Sequence, residues 1–381
     1  MIKNKQIGVV MRKYLKYIVA IVILSVVYIG GGKVLDRMYL NKYHIVDYTG
    51  QTRYSTVNRV IDKRFKKADE AIIINTNMID HAVSVANYAY QLNIPVFYTM
   101  DQKLSPDTYK EIEKLGIKKI RLVGGTRFID EKVERSFKRN GYKVSRIIEI
   151  PKVDMSIKMA DMTYKVKKFT QIAVVTRNEM DLPNAVSFSP ISQARNIPII
   201  TIDNNKKDIS KLEALVKRYD IKKVYLIGNN SYINPNIDKL FKTVVKINGK
   251  DRYDVNRKII DEFFVDGKND KIYLSKAGVI MHKRHIEAGQ LINAMAISPL
   301  AADTRSALLF INEDYFNTEE SKLIKDKGYK EINEVGFKIK RRAFFNVERF
   351  RLPSTIALIL ISIIIASREV KIKGKKDINS I

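Results

Sequence analysis

Two Arg-Tyr pairs in the sequence set a cation beside a flat aromatic ring. They are Arg53-Tyr54 and Arg252-Tyr253. Both pairs lie at the openings of predicted helices, where a guanidinium can bind a phosphate or carboxylate and a tyrosine ring offers a flat face. The same residue types also pack structural units together, so ligand binding and contact between units both remain open.

A glycine pair, Gly124-Gly125, could supply backbone donors to an anion. It follows a predicted strand that ends at Val123 and precedes a predicted helix that begins near Asp130. The N–H groups of such a loop can face a negatively charged group. A tight turn is the alternative interpretation, because glycine adopts turn conformations without steric cost.

The elements that would position these residues alternate between strand and helix. Short runs rich in β-branched residues predict strands, and stretches with helical periodicity separate them. The first predicted elements are strand 71–76, helix 80–92, strand 94–99, helix 105–115, strand 120–123 and helix 130–139. This alternation predicts βαβ crossovers, a parallel sheet and therefore an α/β fold.

The same order of elements returns further along the chain. The recurring stretches are IPV (94–96) and IPI (197–199), GIKKIRLVGG (116–125) and DIKKVYLIGN (220–229), and NAV (184–186) and NAM (293–295). The shifts between them, 103, 104 and 109 residues, are nearly equal. Recurrence in one order and in the same kind of element indicates internal triplication.

Three longer motifs connect these repeats with a known family. They are RYSTVNRVI (53–61) with GKDRYDVNRKII (249–260), NAVSFSP (184–190) with NAMAISP (293–299), and GIKKIRLVGGTRFID (116–130). They resemble, in turn, the Arg-Tyr opening, the central alanine-rich helix and the Gly-Gly ending of the cell wall binding repeat 2 family. The resemblance covers residues 50–337 as three degenerate copies.

The copies depart from the family pattern at several positions. Asn184 and Asn293 stand where the family has Asp, residues 156–159 (SIKM) replace the Arg-Tyr opening of the second copy, and only the first copy keeps Gly-Gly. Each departure argues against a shared ligand site in that copy. Asn184 and Asn293 are expected instead to cap the helices that follow them.

The resemblance implies three Rossmann-like parallel βαβ units around a pseudo-threefold axis. It also implies a module that holds surface proteins of Gram-positive bacteria to anionic wall polymers. The repeat units are expected at 50–150, 151–248 and 249–337. The residues expected to contact the polymer are Arg53, Tyr54, Arg252, Tyr253, Gly124 and Gly125. Because one exposed ion pair contributes only about 0–1 kcal/mol, useful affinity needs many contacts and should fall with salt.

Composition narrows the class of protein. The 381 residues include no cysteine, and 45% are hydrophobic, which excludes a disulfide scaffold and a disordered chain. The formal net charge is +28, which attracts nucleic acid, anionic lipid or an acidic polymer. No nucleic acid is expected as a partner, because the charge is spread along the chain without a basic helix or finger motif.

An uncharged apolar run occupies residues 17–32. With its flanking residues it predicts a transmembrane helix at 17–35, since a span needs ~20 apolar residues. The basic stretch 1–16 ahead of it predicts a cytoplasmic tail. A cleaved signal peptide is the alternative, but bulky residues stand where cleavage needs small ones.

A second apolar run, at residues 352–367, predicts another transmembrane helix because it has no polar face. A buried helix of a soluble domain is the alternative. The basic stretch 368–381 is then a cytoplasmic tail, and the basic segment 338–351 is expected along lipid headgroups. The sequence therefore predicts a location in the cell membrane, with a lipid membrane as partner and the main domain extracytoplasmic.

Motifs for cofactors and catalysis are missing from the sequence. No G-x-G-x-x-G follows a strand and no Walker A motif occurs, so no cofactor is expected. His282 and His285 have a spacing that can serve a metal on a helix, but two adjacent cations oppose a metal ion, and none is expected. Carboxylates are plentiful, so an acid/base pair assembled by folding stays open.

Three functions compete at this point. The first is membrane-tethered, non-catalytic binding of an anionic cell-wall polysaccharide. The second is an enzyme that assembles or modifies envelope polysaccharide on the same scaffold. The third is a structural scaffold whose degenerate repeats bind a protein partner. Triplication, positive charge and the apolar segments favour the first.

Overall fold

The computed structural model describes a compact α/β body made of Tyr43–Asp314 and Thr318–Ile339. The described residues are 42–100, 102–148, 154–203, 205–228, 233–264, 269–278, 280–281, 285–286 and 288–340. A second unit comprises Met1–Lys42, Tyr315–Asn317 and Lys340–Ile381, most of which lies outside the described residues.

Three four-stranded parallel sheets form the framework of this body. Sheet A has the order β3-β2-β4-β5, sheet B the order β7-β6-β8-β9, and sheet C the order β13-β10-β14-β1. The strands are β1 (His44–Asp47), β2 (Glu70–Asn75), β3 (Val96–Thr99), β4 (Lys119–Val123), β5 (Lys143–Ile147), β6 (Gln171–Thr176), β7 (Ile199–Ile202), β8 (Lys223–Ile227), β9 (Thr243–Ile247), β10 (Lys271–Ser275), β13 (Ala307–Phe310) and β14 (Glu331–Glu334). A short antiparallel pair, β11 (Ile280–Met281) and β12 (His285–Ile286), lies between β10 and the helix that follows it.

Helices connect the strands, in the order that parallel pairing requires. They are α1 (Arg53–Arg64), α2 (Ile79–Leu92), α3 (Pro106–Lys114), α4 (Glu131–Arg139), α5 (Asp154–Val166), α6 (Leu182–Arg195), α7 (Lys206–Tyr219), α8 (Arg252–Phe263), α9 (Ala288–Asp303) and α10 (Thr318–Asp326), with a 3-10 helix at Pro235–Leu240. The predicted strands and helices of the first copy lie within two residues of these bounds.

The strands of the core are continuous apolar runs because both faces of each sheet are covered. Ile72, Ile73 and Ile74 of β2 are all fully buried, and β6, β7 and β13 show the same pattern. A strand buried on one face would alternate apolar with polar residues, whereas strands of parallel sheets covered on both faces do not.

The fourth strand of sheet C comes from the beginning of the described chain. β1 pairs in parallel with β14, with His44 opposite Glu331 and Asp47 opposite Glu334. It occupies the place that β5 and β9 take in the other sheets. The predicted repeat boundaries start at residue 50 and so leave out this strand, which closes the third unit with residues that precede the first.

Three central helices, α2, α6 and α9, pack on one another and join the units. Each unit also has a leading helix, α1, α5 or α8, that packs on the central helix of the unit before it; α1 packs on α9 of the last unit. The arrangement is therefore cyclic. Left-handed residues recur at the ends of the central helices, with φ of 54° at Asn93, 53° at Asn196 and 51° at Arg305.

The expected fold needs one correction, which concerns membrane helices. Among the helices that the structure describes, none combines the length and apolar content needed to cross a membrane. The two flanking transmembrane helices of the prediction are therefore not part of the observed α/β architecture. The segments on which they were placed, 17–35 and 352–367, lie outside the described residues, as do the tails 1–16 and 368–381.

Candidate functional site

Each sheet has a reversal in strand order. The chain moves from the first strand of a sheet to one neighbour and then returns to the other side. The reversals lie between β2 and β4, between β6 and β8, and between β10 and β14. Open parallel sheets bind ligands at such switch points, beyond the carboxyl ends of the strands.

A glycine with left-handed backbone follows the third strand of every sheet. The φ angles are 104° at Gly124, 119° at Gly228 and 74° at Gly336. Each glycine lies against a buried side chain near the start of the central helix, in the pairs Gly124–His81, Gly228–Asn184 and Gly336–Asn293. Glycine lets the backbone turn closely over the helix in all three copies.

Side chains from the two strands that flank β4 hold the glycine loop of sheet A. Asn75, at the end of β2, donates a hydrogen bond to the carbonyl of Phe128. Arg146 of β5 donates from Nη1 to the carbonyl oxygens of Gly124 and Ile129, both at 3.0 Å. These bonds fix the loop before any ligand arrives.

The sequence predicted that the N–H groups of Gly124 and Gly125 could face an anion, but in the structure backbone groups of both glycines form hydrogen bonds within the protein. The N–H of Gly124 donates to the carbonyl of Ile147 at 2.9 Å, so this donor already has an acceptor. The carbonyl of Gly125 accepts from the N–H of Phe128 at 3.0 Å. Binding of an anion at this pair stays a prediction, and it would have to use other groups than the Gly124 N–H.

Arg53 and Tyr54 open helix α1 directly after its cap. The hydroxyl of Thr52 accepts from the N–H of Ser55 at 3.1 Å, which satisfies the first turn. Tyr54 is half-buried against the core, and burial raises the pKa of its hydroxyl, which is hydrogen-bonded to Thr76. The buried part of the Tyr54 side chain therefore packs against the hydrophobic core.

Thr76 connects this helix opening with the glycine loop. It directly follows Asn75, whose side chain donates into that loop. The carboxyl edge of sheet A thus gathers four of the predicted site residues, Arg53, Tyr54, Gly124 and Gly125.

Arg252 and Tyr253 repeat the arrangement at the start of α8. The carboxylate of Asp251 caps this helix by accepting from the N–H groups of Tyr253 at 2.9 Å and Asp254 at 2.8 Å. The guanidinium carbon of Arg252 lies 5.2 Å from the centre of the Tyr253 ring, and its Nη1 is buried without a hydrogen-bond partner. The Tyr253 hydroxyl donates to Asn312 at 3.1 Å. An unpaired guanidinium donor is best satisfied by an anionic oxygen.

Sheet B has no Arg-Tyr pair, and most charged groups at its edge pair with one another, although Nε of Arg177 is buried without a hydrogen-bond partner. Arg177, which follows β6, forms a salt bridge with Asp203 at 2.7 Å. The buried Asp181 accepts hydrogen bonds from Thr176 and from the amide of Asn184, the latter at 3.2 Å. This copy directs its polar groups at one another.

Sequence reasoning missed two charged groups at the edge of sheet C. Lys276, which follows β10, forms a salt bridge with Asp314 at 3.0 Å and lies 5.0 Å from the centre of the Phe337 ring. Glu334 ends β14 and is 4% exposed, and burial raises its pKa to about 7. The signal that could have found them is their place at the ends of strands, where parallel sheets collect functional groups.

The predicted capping role of Asn184 and Asn293 is wrong. Asp181 is the cap residue of α6, and Asn184 lies inside the first turn. Helix α9 begins at Ala288, five residues before Asn293. Both amides instead lie under the glycines described above, a contact between distant segments that local sequence does not reveal.

Within the described ranges, no group of three or more His, Asp and Glu side chains is placed to hold a metal ion. The side chains of His282 and His285 lie outside the described residues.

Residues 48–134 and 246–339 match the family model described as Cell wall binding domain 2 (CWB2). Both stretches are therefore similar to the CWB2 family. They contain the two Arg-Tyr pairs, whereas the copy between them, which lacks the pair, keeps its sheet but lies outside the match.

Two curated proteins from Bacillus subtilis (strain 168) are similar to this chain. The chain is 26% identical over 284 residues to a protein named "Amidase enhancer", covering 74% of this chain and 36% of that protein. It is 24% identical over 288 residues to "N-acetylmuramoyl-L-alanine amidase LytC", covering 75% of this chain and 54% of that protein. The chain thus spans about half or less of the length of these relatives.

Two solved structures share the fold of the CWB2 region. Cwp6 from Clostridium difficile superposes with a TM-score of 0.69 at 17% identity, covering 78% of this chain and 46% of that chain. Cwp8 from Clostridium difficile superposes with a TM-score of 0.68 at 22% identity, covering 78% of this chain and 50% of that chain. At these identities the likeness is one of fold.

The CWB2 match corrects the predicted location in the cell membrane. That location rested on two spanning helices, and no helix of the described part is suited to span a membrane. The family description points to the cell wall instead. The expectations of a lipid partner and of no nucleic acid partner are not tested by these observations and stay predictions.

Proposed function

We propose that this chain is a non-catalytic binder of an anionic cell-wall polymer, with Arg252 and Tyr253 as its principal contact. Cell wall binding as such follows from the CWB2 match. The charge of the polymer and the absence of catalysis are the proposed part. The observation that supports an anionic polymer is the buried Nη1 of Arg252, which lacks a partner while its guanidinium lies over the Tyr253 ring.

The energetics of Arg252 favour an anionic partner. A buried donor without an acceptor costs about 1–3 kcal/mol, and a phosphate or carboxylate oxygen would recover this cost through a charge-assisted hydrogen bond. Tyr253 is held in place by its bond to Asn312, so the guanidinium already rests on a fixed surface. Little conformational entropy is then lost when the polymer binds.

A repeating polymer can engage more than one copy of the module. Arg53 and Tyr54 stand at the start of α1 as Arg252 and Tyr253 stand at the start of α8. Two weak contacts on one polymer chain reinforce each other, because binding at the first raises the local concentration at the second. The net charge of +28 adds long-range attraction that salt screens.

Cosedimentation of the full chain with purified cell walls tests the proposal. We expect Arg252→Gln to weaken binding at least fivefold, since glutamine keeps a donor but removes the charge. Arg59→Gln is the matched control, because Arg59 is an exposed cation on the leading helix α1. It should change binding less than twofold.

Walls stripped of their anionic polymers decide whether charge is recognised. We expect binding to be lost on stripped walls and to fall steeply between 50 mM and 500 mM salt. Equal binding to stripped and intact walls, or equal loss in Arg252→Gln and Arg59→Gln, would contradict the proposal.

An enzymatic function is the second candidate because one relative is named as an amidase. The chain covers 54% of that protein, so the name alone does not assign activity to the shared part. Incubation of the full chain with walls, followed by assay for released peptides and reducing sugars, separates the two functions. We expect no release, and turnover abolished by one carboxylate substitution would favour the enzyme.

A further inference from the structure

Two of the interfaces between neighbouring units enclose spaces of very different size. Each space is surrounded by elements of two units. One unit supplies its leading helix, its central helix and the strand that follows, and the preceding unit supplies its central helix. Where α1 and α2 meet α9, the space is a cavity of about 40 Å³. Where α8 and α9 meet α6, it is a cavity of about 780 Å³, here called the α6–α9 cavity.

Side-chain size at equivalent positions explains the difference. The left-handed residues Asn93 and Arg305 end the two central helices and fix the alignment. Tyr90, three residues before Asn93, corresponds to Ala302, and Ile94, one residue after it, corresponds to Ser306. The larger side chains line the small cavity and the smaller ones line the large cavity.

A salt bridge adds to the filling of the small cavity. Arg64 at the end of α1 donates to Asp303 at 2.8 Å, and its guanidinium lies 4.9 Å from the centre of the Tyr90 ring. The positions equivalent to Arg64 and Asp303 are Phe263 and Ala194. The α6–α9 cavity therefore lacks the ion pair as well as the tyrosine.

The walls of the α6–α9 cavity combine aromatic and polar groups. Phe263 and Tyr329 are 8% and 6% exposed, and the guanidinium carbon of Arg195 lies 4.8 Å from the centre of the Phe263 ring. Asn269 donates to the hydroxyl of Ser306 at 2.8 Å, and the hydroxyls of Ser306 and Thr304 are also 2.8 Å apart. Aromatic rings beside hydroxyl and amide groups suit a sugar ring, which has apolar faces and polar edges.

The cavity rim is positively charged. Arg195 and Arg305 are exposed and line it, with Glu262 as the acid of the same lining. Arg305 has φ of 51°, a left-handed conformation that is strained for an ordinary side chain. The other two copies have Asn at this position, a residue that tolerates it better. The third copy keeps a strained arginine at the rim of its cavity.

We infer that the α6–α9 cavity is a binding subsite for an acidic sugar, a hexose that carries a carboxylate or a phosphate. The volume lies within the range of about 300–1,000 Å³ that small-molecule sites occupy. The sugar ring packs beside Tyr329, and its anionic group meets Arg305 and Arg195, whose guanidinium lies over the Phe263 ring. This inference rests on the proposed function, because an anionic wall polymer is the source of such a sugar.

Titration of the full chain with glucuronic acid and with glucose 1-phosphate tests the subsite, with glucose as the uncharged probe. Ala302→Tyr installs the side chain that fills the equivalent space, and we expect it to weaken binding of the acidic sugars at least tenfold. Arg305→Asn removes one rim charge and installs the residue of the other copies, so it should fold normally and weaken binding about threefold to tenfold. Tyr90→Phe, in the small cavity, should leave binding unchanged.

The outcomes separate this inference from the proposed function. If neither acidic sugar binds while the chain still sediments with intact walls, the subsite is overturned and the proposed function stands. If the chain fails to sediment with walls but binds the acidic sugars, the proposed function fails and the subsite remains. Equal affinity for glucose, or undiminished binding in a folded Arg305→Asn variant, would overturn the role given to the rim charges.

Discussion

Gly336 lies where backbone and side chain approach too closely for any larger residue. A Cβ atom at this position would fall 2.0 Å from Nδ2 of Asn293, and φ is 74°. We expect Gly336→Ala to lower the free energy of unfolding by about 2–4 kcal/mol, from steric overlap and backbone strain together. Chemical denaturation of the two proteins measures the difference.

Gly125 provides the matched control for Gly336. A Cβ atom there would meet nothing within 4 Å. Gly125→Ala should therefore change the free energy of unfolding by less than about 0.5 kcal/mol. Equal destabilisation by both substitutions would show that the close contact with Asn293 is not what requires glycine at position 336.

Glu334 makes stability depend on pH in a direction opposite to that of most carboxylates. Burial raises its pKa from 4.5 to about 7, helped by the nearby charge of Asp47, while the bond from the Ile339 N–H at 2.9 Å favours the ionised form. The folded chain thus binds this proton more tightly than the unfolded chain. Stability due to this group falls as pH rises from about 4.5 to about 7.

Glu334→Gln isolates this effect, since its carbonyl can still accept from Ile339. Relative to the variant, the natural protein should lose about 2–3 kcal/mol between pH 4.5 and pH 7.5. The measurement is the free energy of unfolding of both proteins across that range. Parallel pH profiles would mean that Glu334 titrates normally.

At the scale of elements, strand β1 closes sheet C. The N–H groups of His44 and Tyr48 donate to the carbonyls of Lys330 and Glu334. Because strand residues alternate, the N–H of Val46 faces β14 and that of Ile45 faces the free edge. Val46→Pro should then cost about 2 kcal/mol or more.

Ile45→Pro is the control for β1, because proline is tolerated on the free side of an edge strand. Thermal unfolding should separate the two variants by several degrees. If both lower the melting temperature equally, pairing of β1 with β14 contributes little to stability.

Local sequence predicted six elements of the first copy well, but it missed strand β1, which closes the third sheet. The run AIII in β2 predicts a strand, since burial on both faces demands apolar residues without interruption. The periodicity of α2 predicts a helix. The four residues of β1, HIVD, carry too little pattern to be assigned. Their pairing depends on β14, nearly three hundred residues away, and only the folded chain brings the two together.

At the scale of the molecule, the three units should unfold together. One continuous core includes Ile73 of sheet A, Val175 of sheet B and Leu308 of sheet C. Units that share a core cannot expose their surfaces independently, in contrast to repeats that contact only their sequence neighbours. Calorimetry of the full chain should show one transition for the α/β body, with equal calorimetric and van't Hoff enthalpies. Three separable transitions would contradict this.

Some features of the candidate site could be predicted from the sequence, and others are visible only in the structure. Arg252 and Tyr253 could be selected from the sequence, because a cation and an aromatic ring adjoin there at a helix opening. The sequence could not show that Nη1 of Arg252 is buried without a partner, nor that the Tyr253 hydroxyl donates to Asn312 in the loop beyond β13. Both depend on the folded chain. The α6–α9 cavity was equally hidden, because it arises from small residues on helices that meet only after folding.

The sequence by itself determined the triplication, the alternation of strands and helices, and the positive charge, since these are recorded in residue order and composition. Only the tertiary structure decided that β1 completes the third sheet, that the interfaces between units differ in the space they enclose, and that the N–H of Gly124 donates to the last residue of β5. The physical reason is that local propensity acts over a few residues, whereas packing joins residues without regard to their separation along the chain.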